Sequence, residues 1–242
     1  MSVARRAFLR TSLGVGALAL TMASGLAQGW LSSPSAKRLK TSVARPLLLL
    51  RSSGDELFAH AILATFRQAR TTSVIEVALD AASVATPGRL VALLRQHRQR
   101  RGLTVVALTD DFTHCLLEET VRDLGGSVGC RGLHRGPLDV AATSRHVFAS
   151  TAASQGIGTT LAAGLCGTDS DFHIEEHSSG ADATVAQTAC EEPAPWARVL
   201  GQAYGRMALG LWEPRPVREL HSRGPATVHP GAASLVSMVA RI

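Results

Sequence analysis

Three short polar stretches carry residues able to bind a cation or move a proton. The first is Ser52-Ser53-Gly54-Asp55, the second ends in Asp80, and the third is Thr109-Asp110-Asp111. Each follows an apolar run. If those runs are parallel strands of one sheet, their carboxyl ends lie along one rim, which is where open α/β sheets place their ligands. Ser53, Asp55, Asp80, Asp110 and Asp111 would then share an edge. Carboxylates facing each other there could hold a divalent cation or a polar ligand, or raise one another's pKa for acid–base work. The same residue types also serve as helix N-caps, a role that suits Asp55 and Asp111 with no chemistry at all.

A second candidate lies in Asp171-Phe172-His173-Ile174-Glu175-Glu176-His177. On a helix, His173 and His177 would face one side, as metal ligation needs. His173-x-x-Glu176-His177 resembles the HxxEH motif of the inverted zinc peptidases, over five residues. That family sets its motif in a long helix and takes a further Glu from a downstream helix. Here Asp169, Asp171 and Gly180 bound a much shorter stretch, and the downstream Glu213 and Glu219 sit among prolines. The segment reads equally as a strand, with Phe172, Ile174 and Glu176 on one face and His173, Glu175 and His177 on the other.

Cys115, Cys130, Cys166 and Cys190 contain no CxxC, so iron–sulfur and structural zinc lack their usual spacing. Cys115 lies beside Leu116 on the apolar side of a helix and reads as core. Cys166 and Cys190 flank an irregular region and make the better disulfide pair, closing a loop of about 25 residues worth ~3 kcal/mol on the chain-entropy model. Gly156-Ile157-Gly158-Thr159-Thr160 lacks the GxGxxG spacing of a phosphate turn, and no GxSxG occurs. The basic run from Arg95 to Arg101 falls at a helix end, where cations suit the dipole.

The elements that must position these groups follow from periodicity. Pro46-Leu-Leu-Leu-Leu-Arg51 is a strand buried on both faces. A helix runs to Arg70, residues 73–79 form a second strand, and Pro87 opens a helix that Gly102 ends. Residues 103–108 form a third strand. A helix over 113–124 stops at Gly125-Gly126, and 127–133 form a weaker fourth strand. Strand–helix alternation over 44–133 is Rossmann-like and predicts an α/β fold with a mostly parallel sheet and helices on both faces. Beyond it the chain is less regular: residues 140–155 read as a helix, 159–165 resume it, 196–212 have helical spacing and 234–240 form a last strand. No repeat or second domain interrupts 44–242.

Composition bounds the class. The chain has 242 residues, 45% hydrophobic and 18% charged, which excludes a disordered chain and, with no long apolar runs, a multi-span membrane protein. Four cysteines are too few for a disulfide scaffold. The formal charge of +6 includes Arg5, Arg6 and Arg10; without them 22 basic residues face 19 acidic ones, a net +3. No basic excess remains to coat a phosphate track, so nucleic acid is not an expected partner.

Those three arginines open a leader. Residues 1–27 have a positive start, a mild Gly-interrupted apolar core and a small-residue end, the form of a secretory signal. Ala4-Arg5-Arg6-Ala7-Phe8-Leu9-Arg10 resembles the twin-arginine (Tat) leader, Ser/Thr-Arg-Arg-x-Phe-Leu-Lys, with Arg5, Arg6, Phe8 and Leu9 matching. The resemblance covers the first tenth of the chain. It implies passage through the Tat translocase as a folded protein, to the periplasm or beyond, and it raises the prospect of a cofactor or a protein partner. If the leader is not cleaved, it would instead anchor the chain in the inner membrane. Residues 28–43 are a polar linker, and 44–242 the domain. The expectation is an exported accessory or binding protein; the alternative is a periplasmic enzyme, metal-dependent or not, using the carboxylate rim. The residues specify no cofactor.

Overall fold

The computed structural model describes residues 46–52, 56–70, 74–80, 84, 86, 88–98, 102–136, 144–165, 171–178, 195–214, 221–223 and 234–242. The leader with Arg5, Arg6, Phe8 and Leu9, together with Ser53, Asp55, Cys166 and Cys190, lies outside the described residues. In chain order the elements are β1 (Leu47–Arg51), α1 (Glu56–Gln68), β2 (Val74–Ala78), α2 (Arg89–His97), β3 (Thr104–Thr109), α3 (Asp111–Asp123), β4 (Ser127–Arg135), β5 (Ser144–Ser150), α4 (Ile157–Leu165), β6 (Phe172–Ser178), α5 (Trp196–Ala208), β7 (His221–Arg223) and β8 (Ser234–Arg241).

This is an α/β fold built on one eight-stranded sheet, in the order β2-β1-β3-β8-β4-β5-β6-β7. The sheet is mixed rather than mostly parallel. β1 pairs in parallel with β2 and β3, and β5 with β6. The other four pairings are antiparallel. The reason is β8, the last strand in sequence, whose place in the sheet periodicity does not reveal. It runs between β3 and β4, antiparallel to both, so β4 keeps the direction of β3, and the antiparallel β4–β5 pair then turns β5 and β6 against β1–β3. Arg241 lies opposite Thr104 at the start of β3 and opposite Ser127 at the start of β4. Ser150, at the end of β5, lies opposite Cys130 near that same start. The carboxyl ends of β1–β3 and of β5–β6 therefore point to opposite edges.

β1 shows why four successive leucines were needed. Leu47 and Leu49 pack in a cluster with Phe58, Ile62, Phe66, Leu161, Leu200 and Tyr204 from α1, α4 and α5. Leu48 and Leu50 pack in another with Leu90, Leu94, Leu117 and Val121 from α2 and α3. Successive strand side chains alternate in direction, so every position of β1 meets a core. β2, the expected second strand, lies at the sheet edge and is half-buried to exposed along its length.

Residues 144–150 form β5 rather than a helix. The alternation of buried Ser144, His146, Phe148 and Ser150 with exposed Arg145 and Ala149 is that of a strand. α1 and α5 approach closely because α5 presents Gly201 and Gly205. A Cβ on Gly201 would collide with the Phe58 carbonyl oxygen, and one on Gly205 would lie 2.9 Å from Thr65 Cβ.

Candidate functional site

Among the described residues, the rim carboxylates Asp80, Asp110 and Asp111 are not arranged as a metal-holding group. Asp110 is the N-cap of α3: its Oδ1 accepts from Thr113 N at 2.9 Å and its Oδ2 from Thr113 Oγ1 at 2.7 Å. Partial burial raises its pKa, but the hydrogen bonds from Thr113 and the Phe112 amide outweigh that and hold it below the usual carboxylate value. The cap is thus Asp110, one residue before Asp111. Asp111 is exposed and accepts a long 3.4 Å hydrogen bond from Ser234 Oγ. Asp80 is exposed beyond β2, its carbonyl accepting from Val84 N at 3.2 Å. The order β2-β1-β3 puts Asp80 two strands from Asp110, about 10 Å across the sheet at ~4.8 Å per strand. Ser52 Oγ donates to the Leu108 carbonyl at 2.9 Å, while the buried Thr109 Oγ1 has no hydrogen-bond partner. Among the described residues no group of three or more His, Cys, Asp or Glu is arranged to hold a metal.

The HxxEH segment is strand β6, so the helical spacing of His173 and His177 does not arise. Both histidines sit on one face with Glu175, His173 Nε2 lying 2.7 Å from Oε1 and His177 Nε2 3.8 Å from Oε2. Arg145 Nη2 donates to the same carboxylate at 2.9 Å. The hydrogen bond from His173 and the Arg145 guanidinium hold Glu175 below the ordinary carboxylate value, against partial burial. Glu176 faces the other way and is buried. Its carboxylate accepts from Ser150 Oγ at 2.6 Å, Gly156 N at 3.0 Å and Gly158 N at 2.8 Å. α4 has no acid in its own first turn, so Glu176 from β6 supplies the negative charge its N-terminus favours. The Gly156-Ile157-Gly158 turn is thereby occupied by the protein itself.

Cys115 is exposed rather than core, and Cys130 is buried; both are free thiols. The basic run at the end of α2 ties that helix to α3, where Arg98 Nη1 donates to the Leu124 carbonyl at 3.0 Å.

A buried polar chain crosses the middle of the sheet, unforeseen from the sequence. Cys130 Sγ lies 3.6 Å from Tyr204 Oη, Tyr204 Oη 2.8 Å from Ser237 Oγ, and Ser237 Oγ 2.6 Å from His134 Nε2. His134 Nδ1 meets His146 Nδ1 at 2.8 Å, and His146 Nε2 meets Ser144 Oγ at 3.0 Å. His134 and His146 are direct partners in the β4–β5 ladder, and Trp196 stacks on His134 with ring centroids 4.8 Å apart. Burial holds both imidazoles neutral, His146 down to about 3 and His134 well below its ordinary value, and the repulsion two adjacent imidazolium charges would feel lowers His134 further. Burial likewise pushes the Cys130 thiol up to about 12. One proton lies between the two Nδ1 atoms, so the chain satisfies every ring nitrogen in either of two directions. No member is more than 3% exposed. It is a sealed core network rather than a reaction centre. The signal for it was Gly132-x-His134 and Ser144-x-His146-x-Phe148, two runs of period two; a helical reading of 140–155 hid the second.

An open cleft lies at the edge where β4 and β8 meet the end of α5. It encloses about 470 Å³ and is lined by Val128, Met207, Trp212, Pro214, Val239 and Arg241 among others. Gly210 at φ 71° turns the chain out of α5, with Leu211 N donating to the Arg206 carbonyl at 2.8 Å. That turn brings Trp212 back, and its Nε1 donates to the Gln155 carbonyl at 3.2 Å. The cleft's described lining includes no His, Cys, Asp or Glu, and Ser154 Oγ is committed to the Gly129 carbonyl. The chain matches no family model, no curated protein and no solved structure.

Proposed function

We propose that this is an exported accessory or binding protein, carried folded along the twin-arginine route, which holds a small ligand in the cleft beside Trp212 without transforming it. One observation carries the reading: the cleft has apolar walls, a fixed indole and hydroxyls, but its described lining offers no group to act as acid, base or thiolate. The enzyme alternative draws less support, since Asp110 is spent as a helix cap. Among the described residues no helix is long and apolar enough to cross a membrane. A protein partner loaded before export is compatible with the same route.

The test is made on the protein recovered from the periplasm. Arg5→Lys with Arg6→Lys is expected to leave full-length precursor in the cytoplasm. The exported protein is expected to carry its small molecule chemically unchanged, by mass spectrometry under native conditions. Export in cells lacking the Tat pore, or turnover of the bound molecule, would overturn the corresponding half of the reading.

A further inference from the structure

We infer that the cleft takes an apolar monocarboxylate, with its acid group on Arg241 and its body against Trp212, Met207 and Val239. This deepens the binding-protein reading and rests on it. The volume of about 470 Å³ falls in the ~300–1,000 Å³ range of sites that bury a small ligand. Met207 and Val239 are each only 6% exposed, so they form a floor belonging to the core, not a loose surface patch. The Trp212 wall is already built, by the turn at Gly210 and the indole hydrogen bond to Gln155, so little ordering is left for a ligand to impose.

Charge selects the ligand class. Arg51, Arg122, Arg131 and Arg145 each lie within ion-pair distance of a glutamate. Arg241 is exposed at the end of β8, lines the cleft, and has no such partner among the described residues. A guanidinium offers paired donors that match a carboxylate, whereas an ammonium ligand would be repelled. The far side of the cleft is the C-terminal end of α5, at Met207 and Gly210, where partial negative charge disfavours an anion. The two sides therefore orient the molecule: acid toward β8, hydrocarbon toward α5. A fatty acid and an aromatic acid share this chemistry.

The experiment uses the natively exported protein and isothermal titration with four probes: decanoate, 1-naphthoate, 1-decanol and decylamine. At least one acid is expected to bind, decanoate marking an aliphatic ligand and naphthoate an aromatic one. Decylamine should not bind, and decanol should bind at least roughly tenfold more weakly than the better acid. Arg241→Gln should weaken that acid by a similar factor, and Ala153→Phe, on the exposed lip of the cleft, should block it while leaving the melting temperature in place. Binding of neither acid, equal binding of the amine, or indifference to both variants would overturn the assignment. Those outcomes leave the binding-protein reading intact; chemical conversion of a bound acid would instead remove that reading and keep the site.

Discussion

Gly132 has no room for a methyl group. A Cβ there would sit 2.7 Å from His134 Nε2, from Phe148 Cε1 and from Ser237 Oγ. The glycine is the space into which the buried imidazole folds back. Gly132→Ala is expected to cost ~1–3 kcal/mol, as overpacking does, measured by urea denaturation at neutral pH. The histidine pair makes a second prediction. Both pKa values are lowered on folding from an ordinary 6.5, so below that pH the unfolded chain binds more protons than the native one. Stability is full above about pH 6.5 and falls as pH drops beneath it, by up to ~1.4 kcal/mol per unit for each imidazole. His114, lowered by burial against the pull of Glu118, acts in the same direction. Urea titrations at pH 7.5 and 5.5 should differ by roughly 2–3 kcal/mol; equal values would mean the pair is not buried neutral. Asp110 separates cap from site in one comparison. Asp110→Ala should cost about 1 kcal/mol, whereas Asp110→Asn, an equally good cap, should be close to neutral. A marked gain for Asp110→Asn would instead reveal repulsion among rim carboxylates.

At the scale of elements, α1 and α5 touch through Gly201 and Gly205, and Gly201→Ala would drive a methyl into the Phe58 carbonyl. Because that obstacle is backbone, the helices must separate, and a loss of about 2 kcal/mol or more is expected in thermal or urea unfolding. Leu49→Asp, in the same core cluster, should prevent folding outright, since an unpaired buried charge costs several kcal/mol against a total of ~5–15. The two cases also show what a sequence reveals. β1 was legible because a strand covered on both faces has only one solution, an unbroken apolar run. β5 was not, because Ala, Ser and Val near 140–155 suit a helix by composition, and what decides for a strand is pairing with β4, which local pattern does not encode. After β3 the sequence pointed to Asp111 as the cap, and the capping residue is its neighbour Asp110. The cleft was not, since Val128, Trp212 and Arg241 meet only through the position of β8.

For the molecule as a whole, the position of β8 sets an order of events. β1, β2 and β3 form one parallel group, and β4, β5 and β6 a second, mixed group, with no pairing between the two except through β8. The β8-facing edges of β3 and β4 stay open until residues 234–241 emerge from the ribosome. A chain halted before Ser234 would present one open edge on each of β3 and β4, edges prone to pairing with other chains. Deletion of 234–242 is therefore expected to give aggregated product, with no protease-resistant core recovered. On the export route proposed above, a translocase that accepts only folded cargo would reject such a chain. The final strand works as the clasp of the sheet: only its arrival joins the two groups of strands into one surface.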